Sequence, residues 1–291
     1  MTILVATDFS ENSEAILKYA ANLADARGET LALMHAIDFT ADDNAWRVLY
    51  SAPDELEVQA RESAREKLEE AHSSVLGGDA SFETIVEFGE PAETILAVTR
   101  RDDISMVVVG TVGESRIQEI FFGHTPSRLV REAEIPVVAV PPDFERTSVK
   151  RILAPVDFSE FSRRSLKAAA RLAEQRGAEL EVLNAFEMPT PPPFLGLPAT
   201  EERHDEIVEA RLGQLTEFIE SVGVSAQVKE RWVIAMRPAE AIVHIGAERN
   251  IDLVVMGTAG REGVARFFLG STAERVLRKT SRPVMVIGSR A

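Results

Sequence analysis

The sequence predicts an α/β protein built twice over, each half a parallel sheet covered by helices on both faces. Three observations lead there. The first is internal repetition. Residues 3–38 (ILVATDFSENSEAILKYAANLADARGETLALMHAID) lie over residues 152–187 (ILAPVDFSEFSRRSLKAAARLAEQRGAELEVLNAFE), with about half the positions identical. Residues 91–113 (PAETILAVTRRDDISMVVVGTVG) lie over residues 238–260 (PAEAIVHIGAERNIDLVVMGTAG) in the same way. The second is size: a chain of 291 residues suggests about two domains, and a repeat of this length is too long for a solenoid. The third is that short apolar runs alternate with helical patterns. Apolar strands separated by helices mean a sheet buried on both faces.

The elements follow in order within each repeat. Thr2–Thr7 and Arg151–Val156 are apolar runs of strand length. The DFSE after each ends the strand and offers Ser10 or Ser159 as a helix N-cap. Helical patterns follow over Glu14–Ala26 and Arg163–Arg176, closed by Gly28 and Gly177 as C-caps. Second strands run Thr30–Ile37 and Glu179–Phe186. Longer polar helices cover Asp54–Ser74 and Glu201–Ser221, and third strands lie near Thr84–Phe88 and Gln227–Val233. Pro91 and Pro238 occupy first-turn positions of the next helices. MVVVG and LVVMG are fourth strands running into a glycine loop. Helices over Thr125–Glu132 and Thr272–Lys279 lead to fifth strands at Pro136–Val140 and Pro283–Ile287. The domains expected are 1–143 and 149–291, joined through PPDFERTSVK (141–150). The middles diverge: DFTADDNAWRVLYSAPDELE is acidic and EMPTPPPFLGLPATEERHDE is proline-rich, and both read as long loops.

Composition removes whole classes of function. With no cysteine, disulfides, thiolate catalysis and cysteine-based metal sites are excluded. The N-terminus has neither a basic region nor a long apolar stretch, so no signal peptide is read, and no window reaches membrane-span length. A cytoplasmic protein is expected. A net charge of −15 argues against nucleic-acid binding. That charge is uneven. Residues 1–147 hold 12 Lys+Arg against 28 Asp+Glu, and the remainder holds 20 against 19. The second half is the more hospitable to an anion.

The chemistry-bearing stretch is GTAGREGVARFFLGST, residues 257–272. A glycine directly after a buried strand can turn with positive φ and let a ligand approach closely. Successive backbone N–H groups in such a turn, with the start of the next helix, form an anion site. Gly257 and Gly260 form one rim of that cradle; Gly270, with the hydroxyls of Ser271 and Thr272, forms the other. The alternative is a tight loop in which Ser271 only caps a helix. Asp157, after the first strand of the second repeat, would flank the same crevice and could accept from ribose hydroxyls or an adenine amine.

The combination G-x-x-G, nine residues, G-[S/T], after a VVMG strand and opposite a D-F-S, resembles the universal stress protein (UspA-like) family, over nearly the whole chain and twice. The resemblance implies an adenine-nucleotide α-hydrolase-like fold, five parallel strands in the order 3-2-1-4-5. It implies ATP, AMP or ADP in the crevice, with or without Mg²⁺. Carried over, Val156, Asp157 and the backbone near Ala185 would hold the adenosine end. Gly257, Gly260, Gly270, Ser271 and Thr272 would hold the phosphates. Arg261 is added here as a charge-assisted contact, against the alternative of an ordinary surface arginine. In the first repeat Thr7, Asp8, Ala36, Gly110, Gly113 and Gly123 are in place, but His124 replaces the first hydroxyl, Thr125 follows it, and Glu114 stands where Arg261 does. The first site is therefore expected to be degenerate, weak or reassigned. The resemblance also implies that the two domains pack through their fifth strands, and that two chains associate.

Other chemistry is absent or weak. There is no GxxxxGK[ST] and no GxGxxG, and no lysine lies in either cradle. HIG at His244–Gly246 resembles a nucleotidyl-transferase signature only faintly and lies mid-helix. The histidines at 35, 72, 124, 204 and 244 have no ligand spacing. His35 reads as packed in the core, while His124 beside the cradle is the one to watch. The expectation is an ATP-binding sensor or adaptor with an unknown protein partner. A slow ATPase and a nucleotide-independent, structural or chaperone-like dimer stay open as alternatives.

Overall fold

The computed structural model describes residues 1–38, 53–76, 82–111, 122–188, 201–258 and 269–288. Most of both divergent middle segments, and Gly113, Glu114, Gly260 and Arg261, lie outside the described residues. The chain divides into two units, Met1–Ser148 and Val149–Ser289.

Unit one runs β1 (Thr2–Ala6), α1 (Ser13–Arg27), β2 (Thr30–Ile37), α2 (Pro53–Leu76), β3 (Phe82–Phe88), α3 (Pro91–Val98), β4 (Ile104–Gly110), α4 (His124–Glu132) and β5 (Val137–Val140). Unit two runs β6 (Arg151–Pro155), α5 (Glu160–Arg176), β7 (Glu179–Phe186), α6 (Glu201–Val222), β8 (Val228–Ala235), α7 (Pro238–Glu248), β9 (Leu253–Gly257), α8 (Ser271–Lys279) and β10 (Val284–Ile287). The strand order is β3-β2-β1-β4-β5 in the first and β8-β7-β6-β9-β10 in the second. The pairs within each unit are parallel. The central strands carry no polar face: β1 is buried throughout, and Ile152, Leu153 and Ala154 of β6 are fully buried. Helices on both faces explain this, because a strand covered twice has no side left for water.

The helices bury one stripe each. In α5, Leu166, Ala169, Ala170 and Ala173 fall at helical spacing and face the sheet. A fully buried leucine there contributes about 1.5–3 kcal/mol relative to an exposed one. Gly28 and Gly177 close α1 and α5 with φ of 61° and 62°, as the glycine positions predict. Pro91 and Pro238 open α3 and α7 in the first turn.

The first helices start differently. Ser159 caps α5, its hydroxyl accepting from Ser162 N at 3.2 Å. Ser10 does not cap α1. That helix begins at Ser13 with Asn12 in the cap position and no side-chain cap bond. The reason is a turn before it: Ser13 N donates to Ser10 O, and Thr7 Oγ1 donates to Ser13 Oγ. The serine equivalent to the Ser162 donor is thus already engaged.

Candidate functional site

In each unit the first strand lies between the second and the fourth. Connections leave its two neighbours in opposite directions, so their C-terminal ends border a crevice, the usual ligand position in such sheets. In unit one this crevice is a cavity of about 280 Å³. Thr7 and Asp8 line it from the end of β1, and His35 and Ala36 from β2. Gly110 lines it from β4, and Gly123, His124 and Thr125 from the start of α4. The structure therefore brings together every described residue of the proposed first site.

Unit two places the matching residues on the matching elements. Val156 and Asp157 follow β6, Gly257 ends β9, and Gly270, Ser271 and Thr272 open α8. Gly270 is the N-cap and makes no side-chain cap bond, while Ser271 is the first helical residue. The alternative in which Ser271 merely caps the helix is thereby removed. The start of α8 keeps its orphan N–H groups and its positive dipole end. Gly270 N donates to Thr258 O at 2.7 Å, and Gly123 N donates to Thr111 O at 2.9 Å. These bonds tie the two ends of each glycine loop together and set the width of its neck. Thr111 and Thr258 are buried and were not singled out from sequence.

The glycine after the strand has a different purpose from the one predicted. Neither Gly257 nor Gly270 has positive φ. A Cβ on Gly257 would lie 2.9 Å from Phe161 Cβ and 3.2 Å from the Phe161 carbonyl carbon and oxygen. The glycine lets α5 approach the end of β9. The left-handed residues of the site are Phe9 (φ 62°) and Phe158 (φ 69°), inside the two D-F-S motifs. A bulky residue held there costs on the order of 1–3 kcal/mol. The aspartates brace these turns. Asp157 Oδ1 accepts from Ser159 N at 3.1 Å and from Ser162 Oγ at 2.5 Å, while Asp157 N donates to Ser162 Oγ at 2.9 Å. Asp8 Oδ1 accepts from Ser10 N at 3.0 Å. The site aspartate is a turn anchor first.

The end of the crevice that the resemblance assigns to adenosine is formed where the second strand overruns the first. Val156 N donates to Leu183 O, and Thr7 N to Met34 O. Alternate residues of a strand direct their backbone groups to the same side, so Ala185 and Ala36 turn N–H and C=O toward the crevice. Ala185 lies within β7, in register with Ile234, rather than after the strand. Next to it, Asn184 Nδ2 donates to Val156 O at 2.8 Å. His35 does the same in unit one, its Nδ1 donating to Thr7 O at 2.8 Å. A carbonyl only accepts, so the proton must lie on Nδ1. His35 is half-buried, lines the cavity and packs against the Phe9 ring, tilted by 35° with centroids 4.2 Å apart. It is a wall of the site rather than a core residue, which corrects the sequence reading.

The rims differ in charge. Glu90 caps α3, with Oε1 accepting from Ala92 N at 3.1 Å and Oε2 from Glu93 N at 2.8 Å. Arg128 Nη1 donates to Glu90 Oε2 at 2.7 Å and Nε to Glu132 Oε1 at 3.2 Å. His124 Nδ1 stands 3.9 Å from Glu90 Oε1. In unit two the matching positions are Arg237, Arg275 and Lys279. Arg237 occupies the cap position of α7 without a side-chain cap bond. His244 lies mid-helix in α7, 3.1 Å from Glu248. No group of three or more metal-ligating side chains occurs among the described residues.

The sequence matches the Universal stress protein family twice, over residues 1–141 and 148–288. The chain belongs to that family. A universal stress protein of Mycolicibacterium smegmatis is 28% identical over 296 residues, covering 99% of this chain and 97% of that protein. One from Methanocaldococcus jannaschii is 32% identical over 145 residues, covering 47% of this chain and 81% of its own length. The solved structure of an Archaeoglobus fulgidus universal stress protein matches with a TM-score of 0.72 at 23% identity, covering 100% of this chain and 98% of that one. Set beside these, the fold is that of a tandem universal stress protein. No helix among the described residues is long and apolar enough to cross a membrane.

As a universal stress protein, the chain also carries site residues that sequence reasoning passed over. Ser13 and Ser162 are identical in the two repeats and hold the D-F-S turns, so the repeat itself carried that signal. Glu90 and Arg237 also stood in aligned positions, each just before its proline. Their importance appears only once α3 and α4 are both placed at the mouth of one crevice.

Proposed function

We propose that this universal stress protein is an adenine-nucleotide sensor or adaptor that holds ATP in unit two. The observation that carries the reading is the start of α8: an uncapped helix N-terminus with two hydroxyls, beside the crevice between β6 and β9. Gly257, Gly270, Ser271 and Thr272 would take the phosphates, with Gly260 and Arg261 from the intervening loop. Val156, Asp157 and the Ala185 backbone would take the adenosine. The negative end of the ligand would meet helix N–H groups and the basic side chains of Arg237 and Arg275. AMP or ADP would use the same groups with fewer contacts. GTAGREGVARFFLGST holds no lysine to neutralise a transferring phosphoryl group, which favours binding over fast transfer. Nucleotide would order the start of α8 and change the surface offered to a protein partner in the cytoplasm, with two tandem chains associating as a homodimer.

Calorimetric titration of ATP, with and without Mg²⁺, into wild type and Gly270→Asp tests this. Gly270 has φ −63° and ψ 147°, which any residue adopts, and aspartate is a good N-cap. The variant should fold while placing a carboxylate on the N–H groups meant for phosphate. Loss of the ATP event supports the reading; an unchanged event, or none in wild type, overturns it. Turnover of ATP that is lost with the same substitution would favour the slow ATPase.

A further inference from the structure

We infer that the unit-one cavity is selective for an uncharged nucleoside, because Glu90, 3.9 Å from the cavity-lining His124, sets a built-in anion beside the phosphate end. The inference rests on the assignment of adenosine and phosphate ends made above, and extends it to the other cavity. The base and sugar end is retained: Asp8 and Ala36 match Asp157 and Ala185, and the second strand overruns the first in the same way. At about 280 Å³ the cavity lies near the lower end of ligand pockets, a size for a nucleoside rather than a drug-sized molecule.

The phosphate end is altered in kind. Both phosphate ends keep an uncapped helix start, at α4 and at α8, but in unit two an anion would also meet Arg237 at the head of α7 and Arg275 one turn into α8. In unit one the first N–H groups of α3 already hold the Glu90 carboxylate. The arginine that could have met a phosphate, Arg128, is clamped between Glu90 and Glu132. Across the matched positions 90/237 and 128/275, unit one carries a net 0 and unit two a net +2. A phosphate at the start of α4 would meet beside it an anion already fixed on three sides. A nucleoside needs nothing from that end.

The test uses the full chain carrying Gly270→Asp, which silences the unit-two cradle, alone and combined with Glu90→Gln. Glutamine keeps an oxygen for the α3 N–H groups but removes the charge, so the fold is retained. The Gly270→Asp chain should bind adenosine at a unit-one site, and ATP at that site at least tenfold more weakly, on the order expected for one like charge near the surface. Adding Glu90→Gln should raise ATP affinity about tenfold and leave adenosine unchanged. Ala36→Trp, which fills the cavity, should remove one adenosine site per chain and so locate it. Equal affinity for ATP and adenosine, no adenosine binding, or no response of ATP to Glu90→Gln would each overturn the inference. Absence of an ATP event in wild type would sink the unit-two reading alone, since the adenosine measurement does not depend on it.

Discussion

The two clefts share a backbone and differ in charge. Both have an acid-braced D-F-S turn, a left-handed phenylalanine, an overrunning second strand and a threonine carbonyl that latches the glycine loop. Beside the mouth, unit one pairs Glu90 with Arg128, where unit two has Arg237 and Arg275. Side chains at two helix ends can therefore change what a crevice admits while the strands beneath stay as they are.

The largest effect expected from breaking the comparison lies at Gly257. Its missing Cβ is where Phe161 of α5 packs, so Gly257→Ala must push the helix start away from the strand. The expected cost is about 1–3 kcal/mol, the range for forced overpacking. Urea unfolding followed by the fluorescence of Trp232, the tryptophan on β8, reads unit two. A midpoint unchanged by the substitution would show that the approach of α5 does not need glycine there. Gly123→Ala is the contrast, because its Cβ meets nothing closer than 3.4 Å and should be tolerated.

Much of this was legible in the sequence, and the failures share a cause. The apolar runs, the C-cap glycines and the first-turn prolines report local physics, and Thr30–Ile37, Glu179–Phe186, Gly28, Gly177, Pro91 and Pro238 are found where they were read. What was misread depends on partners far along the chain. Gly257 meets Phe161, and His35 bonds Thr7, across separations that no local pattern encodes. Ser10 lost its cap role to a turn closed by Thr7 and Ser13. Phe9 and Phe158 adopt left-handed backbone for which phenylalanine carries no signal.

A smaller effect should come from carrying the unit-one rim into unit two. Arg237→Glu restores the residue found at position 90, and should cap α7 as Glu90 caps α3. ATP affinity at unit two should fall about tenfold, with the loss shrinking at high salt because Arg237 is largely exposed. If calorimetry shows the same affinity and the same salt slope as wild type, the rim charge does not distinguish the clefts.

The subtlest difference concerns acid. His72 on α2 is 1% exposed and stacks on Phe82 at 3.5 Å, and its Nε2 has no partner. Burial disfavours the charged ring and holds its pKa below the ordinary histidine value. The folded chain therefore binds this proton less readily than the unfolded one. By linkage the stabilisation from a neutral His72 is complete above about pH 6.5 and is lost as pH falls below that value. Unit two has no equivalent: α6 buries Leu215 and Ile219 against its sheet, and His204 and His244 are exposed. Acidification should therefore weaken unit one more than unit two by this route. His72→Phe keeps the ring stack and removes the titration, so it should flatten the pH dependence of unit one between about pH 7 and 5. Hydrogen exchange at β2–β3 and at β7–β8, compared at the two pH values after correction for intrinsic rates, separates the units. An acid response in β2–β3 that survives His72→Phe would place the proton elsewhere among unit one's carboxylates, and would mean that the acidity of this half, rather than one buried imidazole, sets its sensitivity.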